Sequence, residues 1–317
     1  MKKMKRIHQT NQTTIYHCLS RTVHGEKWLD THAKDVFCKI LHKLSAFCGI
    51  RVLTYCVMSN HFHLLLEVPK MDERQKITDD ELVRRFRILY GEHRNSYVPI
   101  SASALENCLK RNDVEGHKWR NCLQRRMHNL PLFMKMLKHR FTKWHNNKDQ
   151  TYGTFWAERY ACLIVEPDGA VLRKLACYID LNPVRAGIVN DPACYPWSGY
   201  GASRNGDSKQ RSEIAQMSSY GAKASKTSFE SYEKELYWRG AFEVNIDGKR
   251  GIIPAAIANQ YAAIDIHRNA ASHFEANLAK LLWSGCIYGS QSFIQQHLDW
   301  IKALTGRKRL LISPNTG

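Results

Sequence analysis

Strand-like and helix-like patterns follow one another in the order strand, helix, strand, strand, helix, strand, which predicts an α+β domain of the ferredoxin-like, split β-α-β kind. Two further observations shape that prediction. Residues 70–130 interrupt the order after the third strand as a helical insertion, and a mainly helical extension follows the last core element. A length of 317 residues exceeds the roughly 100–200 of a usual domain, in keeping with a core unit plus an extension.

Residues 14–20 open with β-branched and aromatic side chains and read as the first strand, with Gly25 in the loop behind it. Between 33 and 48, Val36, Phe37, Ile40, Leu41, Leu44 and Phe47 recur at three- and four-residue spacing, one face of an amphipathic helix that Gly49 ends. Residues 52–58 and 61–68 are two strands joined by a tight turn at Ser59 and Asn60. In the insertion, Thr78-Asp79-Asp80-Glu81 has the form of a capping box that opens a basic helix to about Tyr90. The second core helix spans about 132–144, with Phe133, Leu137, Phe141 and Trp144 on one stripe. Residues 160–165 read as a further strand and 170–181 as a last helix, which Pro183 ends because the residue before a proline is pushed out of the helical region.

Past Tyr200 the composition shifts. Residues 203–228 are rich in Ser, Gly, Lys and Gln and read as a flexible linker, which divides the chain into a unit at 1–202, the linker, and a C-terminal region at 229–317. Helical patterns return at 229–239 and beyond Pro254, and a 281–298 stretch is broken by Gly285 and Gly289. That last part fits either a helix-turn-helix-like module gripping duplex DNA or a helical cap on the core unit.

The balance of 47 Lys and Arg against 29 Asp and Glu gives a net charge of +18, whose field attracts polyanions and makes nucleic acid the leading partner. Hydrophobic residues at 44% and charged ones at 24% exclude wholesale disorder. The ten cysteines form no Cys-x-x-Cys pair and no compact framework, so they read as reduced core thiols. No apolar run approaches the roughly 20 residues of a membrane span, and the basic start of the chain leads into polar residues rather than a signal-peptide core, so a cytoplasmic protein is expected.

Two constellations carry chemistry. In His61-Phe62-His63, residues two apart on a strand share a face, so two imidazoles converge as ligands for a divalent cation, with Phe62, Leu64 and Leu66 turned to the other face. A His-x-His pair alone is equally compatible with a surface pair of no function. In Tyr178-Ile179-Asp180-Leu181-Asn182-Pro183, four-residue spacing puts Tyr178 and Asn182 on one helix face, although taken alone Tyr178 reads as a core aromatic and Asn182 as a helix terminator. Structural zinc is disfavoured, since the closed set of four Cys or His ligands is missing. For binding, residues 118–148 hold nine Lys or Arg and no Asp or Glu, which makes Lys135, Lys138, Arg140 and Lys143 candidate DNA contacts, while the aromatic stripe beside them reads as core.

Five runs, taken in order, carry a resemblance: Tyr16-His17-Cys18-Leu19-Ser20-Arg21, Met58-Ser59-Asn60-His61-Phe62-His63-Leu64-Leu65, Phe155-Trp156-Ala157-Glu158-Arg159-Tyr160, Tyr178-Ile179-Asp180-Leu181-Asn182-Pro183-Val184-Arg185-Ala186-Gly187 and Tyr195-Pro196-Trp197-Ser198. Over about 15–200 the chain resembles the REP-associated tyrosine transposases, single-tyrosine HUH enzymes related to insertion-sequence transposases. The resemblance implies an HUH nuclease fold and a bacterial or archaeal enzyme acting on single-stranded DNA with a REP-like hairpin. It also implies that His61 and His63 are metal ligands and Tyr178 the nucleophile. Asn182 falls where relatives place a third polar ligand, though an amide is a weaker one. Arg21 and Arg159, inside the resembling runs, are candidate phosphate binders or members of structural ion pairs.

These residue types suit the implied chemistry. A free tyrosine has a pKa of about 10, so its attack on a phosphodiester needs help from a hard cation such as Mg²⁺ or Mn²⁺. Cleavage would leave a 5′-phosphotyrosine and a 3′ hydroxyl, and reversal with another strand would rejoin DNA without ATP. A former transposase retained only to bind nucleic acid is the second reading, and the joint presence of His61, His63 and Tyr178 argues against it. A monomer and a homodimer are both open, as is whether the tyrosine serves its own chain or a partner's.

Overall fold

The computed structural model describes residues 8–222, 226–242, 251–261, 286–305 and 312–314. The predicted core order is present: strand β1 (Thr14–Arg21), helix α1 (Thr31–Cys48), strands β2 (Arg51–Val57) and β3 (His61–Val68), then, past the insertion, the long second core helix (Leu130–Asp149) and strand β4 (Ala161–Val165). β1 lies between β3 and β4 and is antiparallel to both, and β2 pairs antiparallel with β3, which is the ferredoxin-like arrangement. The insertion holds three helices, α2 (Asp79–Tyr90), α3 (Ala102–Arg111) and α4 (Val114–Gln124), so the second core helix is α5. Sequence reading found only the first of the three. Its start is as expected, with the Thr78 side chain accepting from the Glu81 amide.

Both faces of the sheet are buried. Tyr16, Cys18, Phe62, Leu64 and Leu66 face α1, α2 and α5, whose own Phe37, Leu41, Phe86, Phe133, Leu137 and Phe141 complete that core. The stripe on α5 is therefore packing, as expected. Ile15, Leu65, Leu163 and Val165 point the other way, to helix α6 (Gly169–Asp180). The Asp168 carboxylate starts α6 by accepting from the Ala170 and Val171 amides. Pro183 does not end the helical path as expected. Leu181 keeps right-handed helical angles, and Pro183 sits in the first turn of a short helix α7 (Asn182–Arg185), where its missing N–H costs nothing.

The expected linker at 203–228 is not one. Within it lie the end of helix α8 (Gly199–Arg204), all of α9 (Ser208–Ser218) and the start of α10 (Lys226–Gly240). α9 rests on β2: Ile214 and Met217 are buried, Gln210 donates from Nε2 to the Leu53 carbonyl, and Arg51 pairs with Glu213 at 2.7 Å. Its polar composition reflects a helix with one narrow buried stripe and three wet sides.

The C-terminal region is mainly helical, as expected, and adds two short strands that sequence reading did not foresee. α10 buries Phe229, Tyr232, Leu236 and Tyr237 against the α6 side of the molecule, followed by the short α11 (Ala255–Ala258). The 281–285 part of the suggested helix-turn-helix lies outside the described residues, and Gly289 is in a strand. β5 (Ile287–Gly289) pairs parallel with β4, β6 (Ile312–Pro314) pairs with β5, and α12 (Gln291–Thr305) lies between them in sequence. The region thus extends the central sheet.

A buried carboxylate joins these parts. Asp180, fully buried, accepts from Thr54 Oγ1 on β2, from the Tyr200 amide on α8 and from the Tyr232 hydroxyl on α10. A bulge between Val52 and Thr54 turns Thr54 to this side, and only glycine fits at 199, where a Cβ would lie 3.1 Å from the Thr54 Cα and collide with its hydroxyl. Burial pushes the Asp180 carboxyl up to about 6 against the pull of its donors. Tyr232→Phe removes one donor without changing shape, and urea denaturation of the full chain is expected to show a loss of about 1–3 kcal/mol.

Candidate active site and nucleic-acid face

β3 begins at His61, directly after the Ser59–Asn60 turn, so His61 and His63 share the face that looks toward α6. Both are nearly buried, their ring centroids 5.1 Å apart and their planes at 80°. Tyr178 comes down on them from α6, its ring centroid 6.0 Å from that of His63 in an edge-on approach. Asn182, one turn later, donates from Nδ2 to the carbonyls of Tyr178 (2.9 Å) and Ile179 (3.3 Å), which leaves its amide oxygen as the atom suited to ligation. Of the four residues expected from sequence to carry the chemistry, His61, His63 and Tyr178 are thus gathered in a single chain, and Asn182 follows one turn along the helix path from Tyr178.

Hydrogen bonding fixes how the imidazoles are presented. The Asn60 amide is oriented by its Nδ2, which donates to the Gly25 carbonyl at 3.0 Å. Its Oδ1 therefore faces His61 Nδ1 at 2.6 Å as an acceptor, so the His61 proton is on Nδ1 and a lone pair on Nε2. His63 Nδ1 lies 3.0 Å from Nε2 of His17 on β1, with the two rings stacked. Burial pushes the His17 imidazole down to about 3, which keeps it neutral at physiological pH. His17 and Asn60 were missed as site residues. The signal for His17 was strand parity: Tyr16 and Cys18 face the α1 side, so His17 faces the site.

Two imidazoles engaged through Nδ1 suit a divalent ion that takes its remaining ligands from water, a phosphate or a further side-chain oxygen. Among the described residues, no group of three or more His, Cys, Asp or Glu is placed to hold a metal. The ten cysteines form no disulfide, and Cys194 is exposed rather than in the core as expected from sequence.

The expected DNA contacts divide. Arg21, at the exposed end of β1, is directly opposite His61 in the β1–β3 register and shares the face of the histidines. Arg159 is exposed on the 155–160 loop, which joins the end of β1 through the Ala157 amide to the Arg21 carbonyl and a Thr22–Trp156 bridge. Lys135, Lys138, Arg140 and Lys143 are on α5, across the sheet from the histidines. Lys135 is exposed. Arg140 and Lys143 lie over the Tyr97 ring at 4.2 and 4.5 Å. Lys138 is engaged within the chain rather than presented to a ligand: its ammonium donates to Ser20 Oγ and to the Glu158 carbonyl and lies over the Trp156 ring, holding the 155–160 loop to β1.

The site and fold define an α+β unit in which a paired-histidine strand lies beneath a tyrosine-bearing helix. Within that unit, the family model described as "Transposase IS200 like" matches residues 10–87, which include His17, Arg21, His61 and His63 but not Tyr178. The match agrees with the resemblance read from the five motifs. A solved structure of a REP-associated tyrosine transposase bound to a REP hairpin is similar at 13% identity and a TM-score of 0.39, over 64% of this chain and 84% of that one. No curated protein matches. Among the described residues no helix is long and apolar enough to cross a membrane.

Because the Lys138 ammonium has two oxygen acceptors inside the chain, Lys138→Met is expected to cost about 1–2 kcal/mol in denaturant unfolding. Lys135→Met, at an exposed position on the same helix, is expected to stay within about 0.5 kcal/mol of the wild type.

Proposed function

We propose that this chain is a metal-dependent endonuclease and strand transferase that cuts single-stranded DNA carrying a REP-like hairpin and holds the cut end on Tyr178. The observation that carries the reading is the approach of the Tyr178 ring to 6.0 Å from His63, with His61 beside it, in one chain. Nothing in that arrangement needs a second copy, so the reading is of a tyrosine acting on its own chain's site.

His61 and His63, with the amide oxygen of Asn182, would hold Mg²⁺ or Mn²⁺. When bound, the ion would polarise the scissile phosphate and offset the charge that builds on its oxygens and on the leaving group. The phenol oxygen of Tyr178 forms the bond to phosphorus as the bond to the 3′ oxygen breaks. The phenol proton passes to solvent, and the leaving oxygen takes up a proton to become a 3′ hydroxyl. The products are a 5′-phosphotyrosine and a free 3′ end, and attack by another 3′ hydroxyl reverses the step and joins strands. Arg21, next to His61 in register, would pair with a phosphate beside the scissile one. Anchoring of α6 through Asp180 holds the phenol over the histidines during both steps.

The test is a labelled single-stranded hairpin pool with Mg²⁺, Mn²⁺ or EDTA, read on a denaturing gel for a protein–DNA adduct. The expected result is an adduct that needs metal, vanishes in Tyr178→Phe, and forms about 10²–10³-fold more slowly in His61→Ala or His63→Ala. Salt-dependent binding with no adduct under any metal would instead establish a protein that only binds DNA.

Binding is expected to weaken steeply with salt, since the net charge is +18. Arg21→Ala and Arg159→Ala should each lower the slope of log affinity against log salt by about one, and Lys138→Met should leave it unchanged, as fluorescence anisotropy would measure.

A further inference from the structure

We infer that His17 is a positioning residue for the metal site: its Nε2 accepts a hydrogen bond from the N–H at His63 Nδ1 and so turns His63 Nε2 toward the ion. The inference rests on the metal-dependent reading above and adds to it a residue from another strand.

His17 lies near the middle of β1, where the register sets it opposite Leu65 and places Leu19 opposite His63. It is therefore the diagonal neighbour of His63 on the same face of the sheet. The rings stack with centroids 5.2 Å apart and planes 29° apart, and the two nitrogens are 3.0 Å apart. A bond between two neutral imidazoles holds a single proton, so one ring donates and the other accepts. If His17 donated, the proton of His63 would be on Nε2, and that nitrogen would have no lone pair for a cation. If His63 donates, its Nε2 is a ligand. The second arrangement matches the one that Asn60 imposes on His61, where an oriented amide oxygen accepts from Nδ1. Both histidines are then held from behind through Nδ1 and present Nε2.

His17 Nδ1 is buried without a hydrogen-bond partner whichever tautomer the ring holds. In the inferred arrangement the proton of His17 is on that atom. An orphaned donor is costly, so packing alone would not select a histidine here. The cost is accounted for if the other end of the ring is needed as an acceptor that tracks the metal ligand, the role that partners behind ligating histidines commonly fill.

The test is Mn²⁺ binding to the full chain, followed by the loss of the free-ion electron paramagnetic resonance signal, for the wild type, His63→Ala, His17→Gln and His17→Leu, with thermal melts to verify folding. His17→Gln keeps an acceptor where Nε2 was and should bind within about threefold of the wild type, while His17→Leu should bind about 10–100-fold more weakly. His17→Leu binding as tightly as the wild type, or Gln as weakly as Leu, overturns the inference. Should the leucine variant not fold, ring ¹⁵N NMR of the Mg²⁺-loaded wild type decides, because the inference requires the His63 proton on Nδ1 and a proton on Nε2 refutes it. A folded wild type that binds no Mn²⁺ overturns the metal reading itself, and this inference with it. Loss of binding in His63→Ala with wild-type affinity in His17→Leu overturns this inference alone.

Discussion

The buried carboxylate of Asp180 is the point on which the site's geometry depends. It lies on the same helix as Tyr178, two residues along, and its partners come from β2, α8 and α10. A carboxylate taken out of water is stable only if its lone pairs are met, so these three elements can pack around α6 only in the arrangement that brings their donors together. The bulge at Val52/Thr54 and the glycine at 199 are the local adjustments this requires. The result is a tyrosine helix fixed against the sheet on the side where β3 presents its histidines.

Burial of the sheet on both faces separates two kinds of residue that sequence alone placed together. The histidines, Tyr178 and Arg21 belong to the α6 side, and the basic positions of α5 belong to the other. Charge on α5 therefore contributes to the long-range field without touching a phosphate held at the histidines. Lys138 shows how a cation in a basic stretch can serve the fold: it ties the 155–160 loop to β1, and that loop carries Arg159 to the end of the sheet where Arg21 emerges.

Much of the core was legible because its signals are local. Period-two alternation around His61 and His63 and three- and four-residue spacing in α1 are set by the burial of one face, and both survive in the structure. The Tyr178–Asn182 pairing was legible for the same reason. What was not legible depends on partners distant in sequence. α9 looks like a linker because only Gln210, Ile214, Met217 and Ser218 along it are buried, too few to outweigh its polar composition. β5 is three residues long and is a strand only because the edge of β4 is there to pair with. His17 could be assigned to a face but not to a partner, since its neighbour is decided by the β1–β3 register. The role of Lys138 depends on Ser20 and Glu158, which no spacing rule connects to it.

The run from Tyr178 to Gly187 combines chemistry and its mounting. Tyr178 faces the histidines, whereas Asp180 and Arg185 face the structure behind them. Arg185 is buried and donates to the carbonyls of Arg239, Gly240, Phe242 and Gly251, thereby closing the C-terminal end of α10. A chain ending near 222 would keep every residue proposed to act on DNA. It would strip Arg185 of those acceptors and Asp180 of Tyr232, and would expose the apolar surface of α6 that Phe229, Tyr232, Leu236 and Tyr237 cover. The boundary that composition suggests near 202 is thus not a boundary of stability. On the proposed mechanism the same attachment has a chemical use. The phosphotyrosine must remain where it formed until a second strand arrives, and a helix secured at Asp180 and Arg185 keeps the linkage beside the histidines for the reverse step.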